Sequence, residues 1–245
     1  MPTAAAKGRS RRTGLAPAEP ASRTALAYRA IKEEILSSRL RAGDPVPVER
    51  VAGQLRLSRT PVREAVLQLA REGFINIRPR MGTFVSHLDL RQIQEMYEVR
   101  SALEGLAARL AAELIPLREV TEIEQALRAL KTQGDIDRKA ISEAGQGVHR
   151  LIISFCGNRV LTQMILSLQD HFARFRTLSL QIPEKVLSSH QEHLEILAAL
   201  KCRNPDLAEQ RLRSHLEHAG RYLMESLLRS PADAAAPSIT VAVGD

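Results

Sequence analysis

The stretch Ser58-Arg59-Thr60-Pro61-Val62-Arg63-Glu64 decides how the first third of this chain is read. Ser58 is well placed to cap a helix, because its hydroxyl can accept from the free N–H groups of a first turn. Pro61 falls inside that turn, where its missing N–H costs nothing. Val62, Val66 and Leu69 then recur on one face and Gly73 stops the run, so the spacing predicts a helix from about 59 to 72. With that face turned to a core, Arg59, Thr60 and Arg63 project from the opposite side. Arg59 and Arg63 stand one turn apart. An arginine fork can bond guanine O6 and N7 in a major groove, at about 1–3 kcal/mol of base discrimination each. Ser58 and the N–H groups beside it suit a phosphate, which fixes register without reading sequence.

Upstream, Leu26, Ala30, Ile31, Ile35 and Leu36 predict a helix across 23–40, ended by the turn Arg41-Ala42-Gly43-Asp44-Pro45. Val51, Ala52 and Leu55 share one face of a short helix over 49–55, and Arg56-Leu57-Ser58 is a tight turn. Downstream, Phe74-Ile75-Asn76-Ile77 and Thr83-Phe84-Val85 read as two strands around Arg78-Pro79-Arg80-Met81-Gly82. Three helices followed by a hairpin make a winged helix-turn-helix over 23–87, with Arg78 and Arg80 in the wing for backbone or minor groove. Scattered surface arginines would explain Arg59 and Arg63 alone, but not this ordered series.

Charge is distributed to match. Residues 1–87 hold sixteen Lys and Arg against seven Asp and Glu, or +9; the remainder holds nineteen against twenty-one, or −2. That asymmetry is the footprint of a nucleic-acid module on a near-neutral partner, although a solvated basic surface would give the same charge. Aromatics make up 3 % of residues and Trp is absent, so aliphatic side chains must fill the cores. The two cysteines, Cys156 and Cys202, are far apart and offer neither a disulfide framework nor a Cys-built zinc site. No apolar run approaches the roughly 20 residues of a membrane span. Lys7-Gly8-Arg9-Ser10-Arg11-Arg12 lacks an apolar segment behind it, so 1–22 reads as a disordered basic arm rather than an export signal. A reducing cytoplasm is the expected compartment, with the chain on genomic DNA when DNA is bound.

After His87 only long helices are predicted, over 89–114, 116–131, 135–156, 158–180, 184–201 and 204–229, with Pro116, Gly134, Gly157, Pro183 and Pro205 as punctuation. The expected fold is mainly α: a winged helix-turn-helix at 23–87, an all-helical bundle of about six members at 88–230, and a loose tail at 231–245.

The turn at 41–45, the run from Ser58 to Glu64, and Glu72-Gly73-Phe74 through Gly82-Thr83-Phe84-Val85 resemble the winged-helix domain of GntR-family bacterial regulators. The resemblance implies DNA contacts from Arg50, Arg59, Thr60, Arg63 and the wing tip at Gly82. Asp44-Pro45 stands where that family usually has Pro-Gly nearby, which touches a turn and not the reading face.

His149, His193 and His215 lie on three different predicted helices. Any one of them alone is more often a core or surface residue than a ligand. Their surroundings, Val148 to Ile152, Glu192 to Leu197 and the last helix, together with Glu98 to Glu104, resemble the effector-binding FCD domain of one GntR subfamily. That likeness implies a divalent metal held by the three histidines and by an aspartate four residues before the first. Arg100 would help the metal hold a small carboxylate. The aspartate position is Gly145 here, which has no ligand atom; Gln146 could offer an amide oxygen from nearly the same face, and Glu143 is less well phased. Three histidines still suit zinc or nickel. Arg100 could instead pair with Glu104 on the helix surface. His190 and His218 read as surface or supporting residues.

The resulting expectation is a homodimeric repressor, or alternatively an activator, on a roughly palindromic operator, modulated by a small organic acid. A metal-dependent enzyme with an appended DNA-binding head is the alternative, although no His-Glu-x-x-His or Gly-rich phosphate loop supports it. A non-specific architectural DNA binder is a third reading.

Overall fold

A computed structural model describes residues 22–229, apart from Leu88 and Gln181. The tail at 231–245, and the basic arm except for Ser22, lie outside the described residues.

The head begins with α1 (Arg23–Leu36), capped by the Ser22 hydroxyl on the Ala25 N–H at 3.1 Å. The helix ends four residues earlier than its pattern suggests, because Ser38 takes a left-handed backbone at φ 58°. Helix α2 (Val48–Leu55) and α3 (Arg59–Arg71) follow, separated by Arg56 in the αL conformation. The wing strands β1 (Ile75–Arg78) and β2 (Gly82–Val85) pair antiparallel, Ile75 opposite Val85 and Arg78 opposite Gly82. Gly82 sits at φ 125°, a conformation that only a residue without Cβ adopts readily, so the tight wing tip requires it. Pro45 bridges to Phe84, which ties the 41–45 turn to the wing. Ile31, Val51, Val62, Leu69, Phe74 and their neighbours form this region's own core.

Six helices then build the bundle: α4 (Leu90–Leu114), α5 (Leu117–Arg128), α6 (Arg138–Phe155), α7 (Arg159–Ser179), α8 (Pro183–Lys201) and α9 (Pro205–Arg229). Small residues let its helices approach. A Cβ at Gly105 of α4 would stand 2.5 Å from Arg213 Cγ on α9, and one at Gly220 of α9 would meet Tyr97 at 2.9 Å. Alanines 107, 108, 111 and 112 of α4 are fully buried in the same seam. The aliphatic core expected from the scarcity of aromatics is there, built from Leu127, Ile152, Ile196, Leu197, Leu200 and Leu212. Among the described residues no helix is long and apolar enough to cross a membrane.

Head and bundle meet along α7. Lys32 of α1, buried, reaches Asp170 at 2.6 Å and Glu72 at 2.9 Å, and it also bonds the Tyr28 hydroxyl. Phe74 stacks on His171 with ring centroids 4.4 Å apart, Arg174 donates to the Ser86 carbonyl, and Thr177 donates to the Leu36 carbonyl. Burial alone would lower the Lys32 pKa. Its hydrogen bonds to Asp170, Tyr28 and Glu72 outweigh that and hold it above its ordinary value. The ammonium therefore stays charged between the two carboxylates.

Candidate functional site

In the head, α3 presents Arg59, Thr60 and Arg63 as exposed residues, while Val62, Ala65, Val66 and Leu69 fill the core behind them. Ser58 is the N-cap residue by backbone conformation, yet its hydroxyl makes no capping bond, contrary to the hydrogen bond expected from its position. Arg59 lies 3.8 Å from Glu49, an exposed contact of little energetic weight. Arg50 is held more firmly, with two guanidinium nitrogens on Glu34 at 2.9 and 2.6 Å. It stays exposed, so a phosphate would have to share or replace Glu34. Arg78, Arg80 and Gly82 are exposed in the wing, and Arg78 lies over the Phe84 ring.

In the bundle, α6, α8 and α9 bring His149, His193 and His215 together, each buried, with one ring nitrogen apiece all within 4.8 Å of one another. His149 Nε2 and His193 Nε2 are 3.2 Å apart. Two zinc ligands at about 2.0–2.1 Å in tetrahedral geometry would be separated by about 3.3 Å, so the pair is spaced for one ion.

Carboxylates fix how two of these rings face. His149 Nδ1 bonds Glu104 at 2.5 Å and His215 Nδ1 bonds Glu192 at 2.7 Å. A carboxylate only accepts, so each Nδ1 carries a proton, which leaves Nε2 as the ring nitrogen available to a metal. Burial, and then neighbouring histidine charge, pushes His193 well below its usual pKa. Burial takes His215 to about 4 against the opposing pull of Glu192. Both rings are therefore neutral near pH 7, the form that binds metal. His193 Nδ1 is buried with no hydrogen-bond partner, as is Nδ1 of the nearby His190.

Arg100 joins this arrangement. Its Nε donates to Glu104 Oε1 at 2.6 Å, and its guanidinium lies over Phe172 at 4.5 Å. Arg100 does pair with Glu104, but inside the bundle and on a cavity wall, not on the surface as that pairing was expected. Burial would raise the Glu104 pKa; the Arg100 charge and His149 overcome this and hold it far below the carboxylate range. Arg176 and Lys185 line the same cavity, and burial lowers the Lys185 pKa to about 8. The space is cationic and suited to an anion.

Gly145 also has a physical account. A Cβ there would lie 2.5 Å from His193 Cε1 and 2.7 Å from its Nδ1, so an aspartate would displace the ring. Gln146 lines the cavity, whereas Glu143 is exposed and 3.8 Å from Lys139. His218 supports the cluster indirectly, through Glu192 at 2.8 Å. His190 is buried, not at the surface. Glu104, Glu192, Arg176 and Lys185 were not singled out as site residues from sequence. Only the Arg100/Glu104 spacing and the adjacency of Glu192 to His193 hinted at two of them.

Comparison with known proteins gives the same two-part organisation. The chain matches the family described as bacterial regulatory proteins of the gntR family over residues 24–85, and the FCD domain over residues 95–218. It is 29 % identical over 211 residues to the HTH-type transcriptional repressor RspR of Escherichia coli (strain K12), covering 84 % of this chain and 90 % of that protein. It is 33 % identical over 185 residues to a Paenarthrobacter nicotinovorans protein named "Probable D-xylose utilization operon transcriptional repressor", covering 75 % and 80 %. Among solved structures, E. coli McbR/YncC superposes with a TM-score of 0.66 at 23 % identity, over 84 % of this chain and 99 % of that one. A Zn2+-bound FCD domain of another regulator superposes with a TM-score of 0.51 at 20 % identity, over 58 % of this chain and 98 % of that one.

Proposed function

Because the chain belongs to the GntR family of bacterial transcriptional regulators and carries an FCD domain, we propose that its bundle binds a divalent metal and a small carboxylate, and that this binding resets the DNA affinity of its head. The family and its named relatives are regulators, so the enzyme alternative has no support. The observation that carries the proposal is the buried His149, His193 and His215 cluster, with carboxylates behind two of its rings and Arg100 on the same cavity wall.

The residues fit a metal: three buried imidazoles converge with one ring nitrogen apiece within 4.8 Å of one another. His149, His193 and His215 would hold zinc or nickel, which when bound would supply a Lewis-acidic position for one carboxylate oxygen. Arg100 and Arg176 would bind and orient the acid, and Lys185 would add charge.

Helix α7 is the natural route to the head. Its Asp170, Arg174 and Thr177 face α1 and the wing, while Phe172, Arg176 and Ser179, two residues further along, face the cavities. A ligand that shifts α7 must strain or relax the Lys32–Asp170 contact, and by linkage DNA and ligand alter each other's affinity equally.

The head at 23–87 would place Arg59, Thr60 and Arg63 in a major groove, with Arg50, Ser58, Arg80 and Gly82 on the backbone or minor groove. A homodimer would match a two-fold operator. Exposed Leu114, Val160 and Met164, at 52–66 % of their surface, support a second copy packing on that end of the bundle.

A gel shift with the chain's own upstream intergenic DNA, with metal and a panel of acids, tests this reading. Repression relieved by acid is the expected outcome. If metal stripping and His193→Ala both leave every acid response intact, the metal-site assignment is wrong.

A further inference from the structure

Two cavities meet at Arg100. The one against the three histidines holds only about 60 Å3. It is about fivefold smaller than its neighbour, so it suits the carboxylate end of an acid better than the whole molecule. The second cavity, about 290 Å3, lies between α6 and α7 and shares Arg100, Gln146, His149 and Arg176 with the first. Its further walls are apolar at Ile153, Ile165, Leu166 and Phe172 and polar at Arg150, Ser154, Thr162 and Gln169. For scale, an apolar cavity of about 150 Å3 admits a benzene ring.

We propose that the effector is a monocarboxylate with an aryl or branched-alkyl body: the carboxylate lies at Arg100 on the histidine side, and the body fills the cavity between α6 and α7. This rests on the carboxylate reading above and names the class of acid. A compact polyhydroxy or tricarboxylic acid suits the pair less well: the first space is small, and in the second only some of its extra polar groups could reach Arg150, Ser154, Thr162 or Gln169, leaving others against Ile153, Ile165, Leu166 and Phe172. Phe172 already holds Arg100 against its face, so a bound ring would pack beside a fixed aromatic edge, next to the charge that anchors its carboxylate. Such a ligand touches α6 and α7 together, including the helix that contacts the head.

Calorimetry on the full chain loaded with zinc, titrated with acetate, citrate, phenylacetate and 3-phenylpropanoate, tests the assignment. Both aryl acids should bind at least about tenfold tighter than acetate or citrate, from the apolar area buried. Leu166→Trp, at a 51 % exposed position, and separately Ile153→Phe should fill the cavity, erase the aryl preference and leave acetate affinity within about twofold. Acetate binding in each variant doubles as the check that it is folded. Acetate binding with no aryl preference, or a preference that survives both variants, overturns the cavity assignment and leaves the metal–carboxylate reading standing. If no acid binds the zinc-loaded chain, both fall.

Discussion

The head and the bundle treat charge in opposite ways. Arg59, Thr60 and Arg63 are exposed on a helix whose other face is apolar, and the contact to Arg59 from Glu49 is long and solvated. Arg100, Glu104, His149, His193 and His215 are each less than a tenth exposed and bonded to one another or to Glu192. On the proposed reading, the difference is one of partner size. A duplex supplies its own field and can displace weak surface contacts, so its reader keeps charges outside and lightly held. A small acid offers few contacts, so its site must be dry and fixed in advance, and lone charges there must be paired. Lys32 and Asp170, between the two regions, share both traits: Lys32 is buried while Asp170 is 44 % exposed.

That contrast predicts where single changes act. The largest effect should come from Arg59→Ala with Arg63→Ala: about a hundredfold or greater loss of affinity for a specific site by fluorescence anisotropy, with zinc binding unchanged. If this pair binds specific DNA as wild type does, α3 is not the reader. Next, Glu104→Gln or Glu192→Gln should weaken zinc about 10–100-fold by competition with a chelator, while DNA affinity of the metal-free chain is kept. Equal damage to DNA binding would mean that these carboxylates hold the fold and not the site.

The third expectation concerns pH. Burial lowers the Lys185 pKa to about 8, and a bound anion favours its charged form. Acid affinity should therefore be full below pH 8 and fall above it, by up to about tenfold per unit, in calorimetry between pH 7 and 9. Lys185→Met should flatten that profile. The smallest effect is expected from Gly145→Ala, whose Cβ pushes on the His193 ring: a loss of zinc affinity of about threefold to tenfold, with the melting temperature little changed. A gain in affinity would show that the ring has room to move.

The sequence reveals far more of the head than of the bundle site. Every element of the head is local: the apolar period of α3, the Gly73 stop and the wing glycine all lie within thirty residues, and the helices start and end within four residues of their patterns. The histidines were legible as candidates because each carries a recognisable neighbourhood. Their supports were not, because Glu104 and His149 are 45 residues apart and meet only when α4 packs on α6. Gly145 read as a missing ligand; packing shows it as a contact surface for His193, which no spacing reveals. Arg100 could be read as a surface partner of Glu104 or as a wall of an effector pocket; only packing shows that the pair with Glu104 is buried and borders a cavity. The Lys32–Asp170 contact, which joins residues from the two regions, left no signal in either segment.

Communication between bundle and head through α7 is tested most directly by one measurement. The zinc-loaded chain is titrated onto its operator with and without a carboxylate that calorimetry shows to saturate it, for wild type and for Asp170→Asn. Wild-type affinity should change about 5–150-fold on adding the acid, and Asp170→Asn should bind acid and DNA separately while losing most of that change. An operator affinity that ignores the saturating acid in wild type would contradict the account outright.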